Sequence, residues 1–128
     1  MPPEVPPSPA ELAAALSGHR FDDAIPYLAA DVEWDLVGEG VLEGRDAIVT
    51  ALRQTEEELA ATRTEFTRFV VVAEGGSAVV DAVAEYTDAA GGKTFVASCD
   101  VYEFRDGLVA RVRSYNVPLA EGHRGYGR

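Results

Sequence analysis

The chain of 128 residues has one cysteine, one methionine, one tryptophan and two histidines, and its 11 basic residues are outnumbered by 22 acidic ones. The lone Cys99 excludes an intramolecular disulfide and any cysteine cluster for zinc or iron-sulfur; it lies in an apolar run, where a thiol behaves as a small hydrophobe. His19 and His123 stand in no histidine-carboxylate spacing, so no metal site is expected: His19 reads as a cap or a solvent-facing residue between helices, and His123 falls in the tail. A formal charge of −11 repels phosphate backbones and anionic lipid, which argues against nucleic acid and membrane surfaces as partners. Arg105, Arg111 and Arg113 cluster late and read as a solvated or interface face. No run of about 18 apolar residues is present and the first residues have neither a basic nor an apolar signal region, so the expected location is cytoplasmic.

What is present is an ordinary globular balance, 47% hydrophobic and 26% charged, in a length suited to one domain. Residues 1–7 hold four prolines and read as an extended lead-in, residues 8–118 as the folded domain, and residues 119–128 as a loose glycine-rich tail. Ser8-Pro9-Ala10-Glu11 spells a capping box with proline at the first helical position, opening a helix that Gly18 stops. A short helix is expected over Phe21–Ala29, strained by Pro26. Val32–Val37 alternates apolar and acidic as a strand does, Gly38–Gly44 reads as a loop, and Arg45–Ala61 carries Ile48, Ala51, Leu52, Thr55 and Leu59 on one helical stripe. The acidic triplet Glu56 to Glu58 reads as a solvated face. Four strands follow, over about Thr64–Ala73, Ser77–Thr87, Lys93–Arg105 and Leu108–Val117, with Gly75-Gly76 and Asp106-Gly107 as tight turns and Pro118 as the end of the last strand. Helices first and a long antiparallel meander last predict an α+β fold, its curved sheet closed by helices.

This element order, with "ADVEWDLVGEGVLEGRDAI", "CDVYEFRDGLV" and "RVRSYNVP", resembles the SnoaL-like branch of the nuclear transport factor 2-like superfamily over roughly Ala10 to Pro118. The resemblance implies a cone-shaped, cystatin-like fold with a hydrophobic small-molecule pocket, frequent homodimerisation through the outer sheet face, and acid/base chemistry without metal or cofactor. Its templates are only partly kept. The donor and base positions of ketosteroid isomerases fall on Leu12, Asp100 and Trp34, so the acid at Asp100 alone survives. Those of limonene epoxide hydrolase fall near Val83, Glu85 and Ser114. The last-strand aspartate of polyketide cyclases is replaced in the run Ser114, Tyr115, Asn116, Val117.

Periodicity alone does not choose the inner face of the fourth strand, whose two sets are Thr94, Val96, Ser98, Asp100, Tyr102, Phe104 and Phe95, Ala97, Cys99, Val101, Glu103, Arg105. The resemblance implies that Asp100, Tyr102 and Phe104 look inward, with Trp34 and Leu36 opposite and Val112, Ser114 and Asn116 beside them. Asp100 is the expected catalytic residue, because a carboxyl group in an apolar cavity has its charged form disfavoured and can exchange protons near neutrality. Tyr86, Tyr102 and Asn116 are candidate partners for a ligand oxygen, Trp34 a candidate wall, and Glu85 enters through the epoxide-hydrolase register; the inward face of its strand stays open. The expected function is cofactor-free cyclisation, isomerisation, dehydration or hydrolysis of an apolar metabolite. The alternative is a non-catalytic small-molecule-binding or dimeric interaction domain.

Overall fold

A computed structural model describes residues 5–120. The chain runs α1 (Pro9–Ser17), two single 3-10 turns (Phe21–Asp23 and Ile25–Tyr27), β1 (Leu28–Leu36), β2 (Gly40–Glu43), α2 (Arg45–Ala60), β3 (Arg63–Glu74), β4 (Ser77–Thr87), β5 (Lys93–Arg105) and β6 (Leu108–Leu119). The strands form one curved, unclosed sheet in the order β2-β1-β6-β5-β4-β3, antiparallel except where β1 lies parallel to β6. Both helices pack on its concave side: Leu12, Leu16, Ile48 and Leu52 meet Ala78, Val80, Tyr102, Val109 and Val112 in one core.

The helix starts follow from local chemistry. The Ser8 hydroxyl accepts from the Glu11 amide at 3.1 Å while the Glu11 carboxylate accepts from the Ser8 amide at 3.0 Å, so two orphan donors are satisfied at once. At the other end of α1 the Gly18 amide donates back to Ala14 O, and a Cβ at Gly18 would lie 2.7 Å from that oxygen; only glycine fits. Asp106 and Gly107 both have positive φ, 54° and 78°, as a two-residue turn matched to strand twist requires.

Three expectations are corrected. The short helix over Phe21–Ala29 is two 3-10 turns, and β1 already begins at Leu28, because Pro26 cannot donate into a continuing helix. Gly40–Glu43, expected within a loop, is a strand pairing β1 from Glu33↔Glu43 to Leu36↔Gly40. Pro118 does not end the last strand: β6 continues to Leu119, with Pro118 paired to Val96. Beyond Ser114 no β1 residue pairs with β6, so among the described residues that side of the strand is open, and a residue without an N–H is tolerated at such an edge. The expected tail lies outside the described residues from position 121 on.

Candidate functional site

Where α1 ends against β5, three polar side chains meet inside the core. The Ser17 hydroxyl donates to Asp100 Oδ2 at 2.6 Å and lies 2.7 Å from the Tyr102 hydroxyl. A serine has one proton to give. With that proton on Asp100, Tyr102 must be the donor to Ser17, and the chain Tyr102 to Ser17 to Asp100 has a single direction. Asp100 is 9% exposed and Tyr102 is not exposed at all, yet among the described residues no buried side-chain polar atom lacks a partner. Burial and then the nearby Asp100 push the Tyr102 hydroxyl well above the ordinary tyrosine range, so it stays a donor at any working pH.

Asp100 borders a cavity of about 200 Å³ between the helices and the sheet. Its apolar walls come from Leu16, Phe21, Trp34, Leu36, Leu52 and Phe66; Ser17, His19, Tyr86, Ser98, Ser114 and Asn116 add polar groups. Trp34 is pinned by its indole N–H, which donates to Ser114 Oγ at 2.9 Å. Because Trp34 faces Val112 and Leu36 faces Ser114 across the parallel pair β1–β6, the first-strand wall and the last-strand polar group are held in one register.

The candidate residues are distributed unevenly over this geometry. Asp100, Trp34, Leu36, Tyr86, Ser114 and Asn116 line the cavity, Asn116 from an exposed rim position. Tyr102 stands behind Asp100 in the core, Val112 is fully buried in the core, and Phe104 packs against the core with its ring 6.4 Å from that of Tyr102. Glu85 sits on the other face of β4, where its carboxylate pairs with Lys93 at 2.7 Å. The helix-one position that reaches Asp100 is Ser17, whereas Leu12 belongs to the core. Cys99, expected to be buried, is half-buried on the convex face, where burial, then Asp100, then Asp81 push its thiol up. Of the late arginines, Arg105 pairs with Asp31 at 2.6 Å and Arg111 lies 4.0 Å from Glu103.

His19, read from the sequence as a cap or a solvent-facing residue, lines the cavity. Its φ of 66° is left-handed, a conformation that costs a residue with a Cβ about 1–2 kcal/mol. The reversal follows from the closing of α1, in which the His19 amide donates to Leu16 O and the Arg20 amide to Ala15 O. It sets the imidazole among Phe21, Phe66 and Tyr86, with ring centroids 5.8, 5.4 and 6.4 Å away. Burial lowers its pKa, against a smaller opposing effect of Asp100. The same two causes, burial first, raise that of Tyr86. Phe66 and Phe69 both turn inward, 5.1 Å apart edge to face, because a β-bulge between Phe66 and Arg68 interrupts the alternation of β3.

Helices closing the concave side of an open, curved sheet around a small cavity define a nuclear transport factor 2-like protein. Within that class, the chain belongs to the SnoaL-like domain family, whose model matches residues 10–112. An NTF2-like protein of unknown function from Cytophaga hutchinsonii superposes with a TM-score of 0.73 at 22% identity, covering 83% of this chain and 93% of that one. A candidate polyketide cyclase from Xanthomonas campestris pv. campestris gives 0.64 at 23% identity, over 84% and 92%. An LEH-like epoxide hydrolase of M. tuberculosis gives 0.63 at 22%, over 84% and 77%. No curated protein matches the chain in sequence. At these identities the structural likeness carries the fold alone.

Proposed function

We propose that this SnoaL-like protein is a cofactor-free acid/base enzyme acting on a small apolar molecule that carries an oxygen function, with Asp100 as the proton-transferring group. The observation that carries this reading is the seating of Asp100. One carboxylate oxygen is held by Ser17 within a fully partnered relay, while the residue borders a cavity with otherwise mainly apolar walls. A carboxylate whose orientation is locked by packed neighbours is preorganised, and a positioned general base typically contributes about 10² to 10⁴-fold. Trp34 is the wall against which the apolar part of the substrate packs, and Ser98, Ser114 and Asn116 are within the same cavity to orient its oxygen. The relatives described as a candidate polyketide cyclase and as an epoxide hydrolase support small-molecule chemistry as the class.

The test is a thermal-shift and native mass-spectrometry screen against terpenoid, epoxide, ketone and polycyclic metabolites, run in parallel on the wild type and Asp100→Asn. A compound that stabilises both proteins and is converted only by the wild type supports the reading. Conversion by both proteins removes Asp100 from it, and binding without conversion by either assigns the fold to ligand carriage.

The convex sheet face supports a homodimer. Val70 and Val72 on β3 and Tyr115 and Val117 on β6 are exposed there, Val72 at 61% and Val117 at 57%, and exposed apolar side chains clustered on one sheet face mark interaction surfaces.

A further inference from the structure

The His19 imidazole has no side-chain hydrogen bond or ion pair among the described residues; aromatic rings surround it instead. Its ring borders the cavity from the α1 side, the same cavity that Asp100 borders from β5. A backbone held in the left-handed region delivers it there, and strain of this kind persists only where the surroundings over-determine it.

We propose that His19 contacts the ligand and donates an imidazole N–H to the carbonyl oxygen of a single-ring ketone whose α-carbon lies against Asp100. The cavity sets the size. An apolar cavity of about 150 Å³ holds benzene and drug-sized ligands occupy about 300 Å³ or more, so about 200 Å³ accommodates one six-membered ring with its oxygen. The assignment rests on the reading of Asp100 as the proton acceptor. Asp100 takes the α-proton, the C–H electron pair becomes the C=C bond of the enolate, and the carbonyl π pair moves onto oxygen, where the His19 N–H meets the charge. The proton returns from Asp100 to the same carbon or to a conjugated one. Exchange or isomerisation results, with no co-reactant.

Only a neutral imidazole offers one N–H while adding no charge to a cavity that already holds a carboxylate. Burial among aromatic rings favours that state. The titratable groups facing His19 are Asp100 and Tyr86 from the sheet and, at the outer side of the ring, Glu56 from α2.

Cyclohexanone and cyclohexane are the probes, added to the full chain with ¹⁵N-labelled histidine. The expected result is saturable movement of the His19 ring ¹⁵N signals with cyclohexanone and none with cyclohexane, the signals being assigned by their loss in His19→Phe. In His19→Phe, cyclohexanone affinity falls about threefold to tenfold, the worth of one hydrogen bond, while cyclohexane affinity holds. The rate of α-proton exchange in D₂O falls about 10²-fold, as for loss of one oxyanion donor. Unmoved His19 signals overturn the proposal, whether cyclohexanone binds elsewhere or not at all; equal cyclohexanone affinity in a folded His19→Phe overturns it as well. The chain has one other histidine, so the signals kept in His123→Gln are those of His19, and the wild-type spectrum decides the matter even if His19→Phe does not fold. Asp100→Asn separates the two assignments: with the His19 shift kept and exchange lost both stand, and with the shift kept and exchange unchanged only the role of Asp100 falls.

Discussion

Along β5 the two faces of the sheet invert the usual rule of burial. On the concave face of β5, Ser98, Asp100 and Tyr102 alternate with the convex Ala97, Cys99 and Val101, so the more polar set points inward. On the convex face, Val72, Tyr115 and Val117 stand exposed. The contrast teaches that hydroxyls and a carboxylate are tolerated in a core when each has a partner, and that apolar side chains outside signal a surface meant to be covered. On the proposed function the concave face carries the chemistry and the convex face the assembly.

Asp100→Asn breaks the comparison hardest. Turnover of a converted compound is expected to fall about 10² to 10⁴-fold with the melting curve nearly unchanged, since the asparagine carbonyl still accepts from Ser17; steady-state assays and calorimetry check both halves. Tyr102→Phe comes next. It leaves the Ser17 oxygen without its buried donor and should cost about 1–3 kcal/mol in denaturant unfolding, while an apolar position would have tolerated the change. Val117→Glu tests the other face: on the proposed homodimer, sedimentation or light scattering should report a dimer for the wild type and a monomer for the variant, whose unfolding free energy should stay within about 0.5 kcal/mol of the wild-type monomer. The smallest effect is in pH. Burial lowers the pKa of His19 in the folded state, so the unfolded chain binds more protons and stability rises with pH. The contribution of His19 is fully present above its unfolded value and is lost as pH falls from there through the folded one. Thermal melts between pH 7 and pH 5 should show this slope in the wild type and a shallower one in His19→Phe.

Much of the scaffold was legible because its signals are local. The box Ser8–Glu11, the Asp106-Gly107 turn, the stripe from Ile48 to Leu52 and the period-two runs each depend on neighbours within a few residues. The errors arose where a distant partner decides. Gly40–Glu43 is too short and too exposed to signal a strand and exists as one only because β1 pairs with it. Pro118 stays in β6 because that side of the strand has no neighbouring strand among the described residues. Glu85 was ambiguous because one face of β4 looks as plausible as the other until β5 is docked.

The candidate site divides in the same way. Asp100, Trp34, Ser114 and Asn116 could be named from alternation together with a family resemblance. His19 could not, since its position depends on a left-handed residue after Gly18 and on aromatic rings from β3 and β4. Ser17 looked like one more polar residue near the end of a helix until α1 was laid across β5. The sequence by itself determined the elements, their turns and the parity of residues along each strand, because these follow from backbone sterics and from hydrogen bonds between near neighbours. Only the tertiary structure decided which parity faces inward, how the bulge after Phe66 turns two phenylalanines the same way, and that Ser17, His19 and Asp100 border one cavity. Those outcomes depend on pairing between different elements, Phe66 with Ala84 across β3 and β4 and Ser17 with Asp100 at 83 positions apart, and no local preference encodes them.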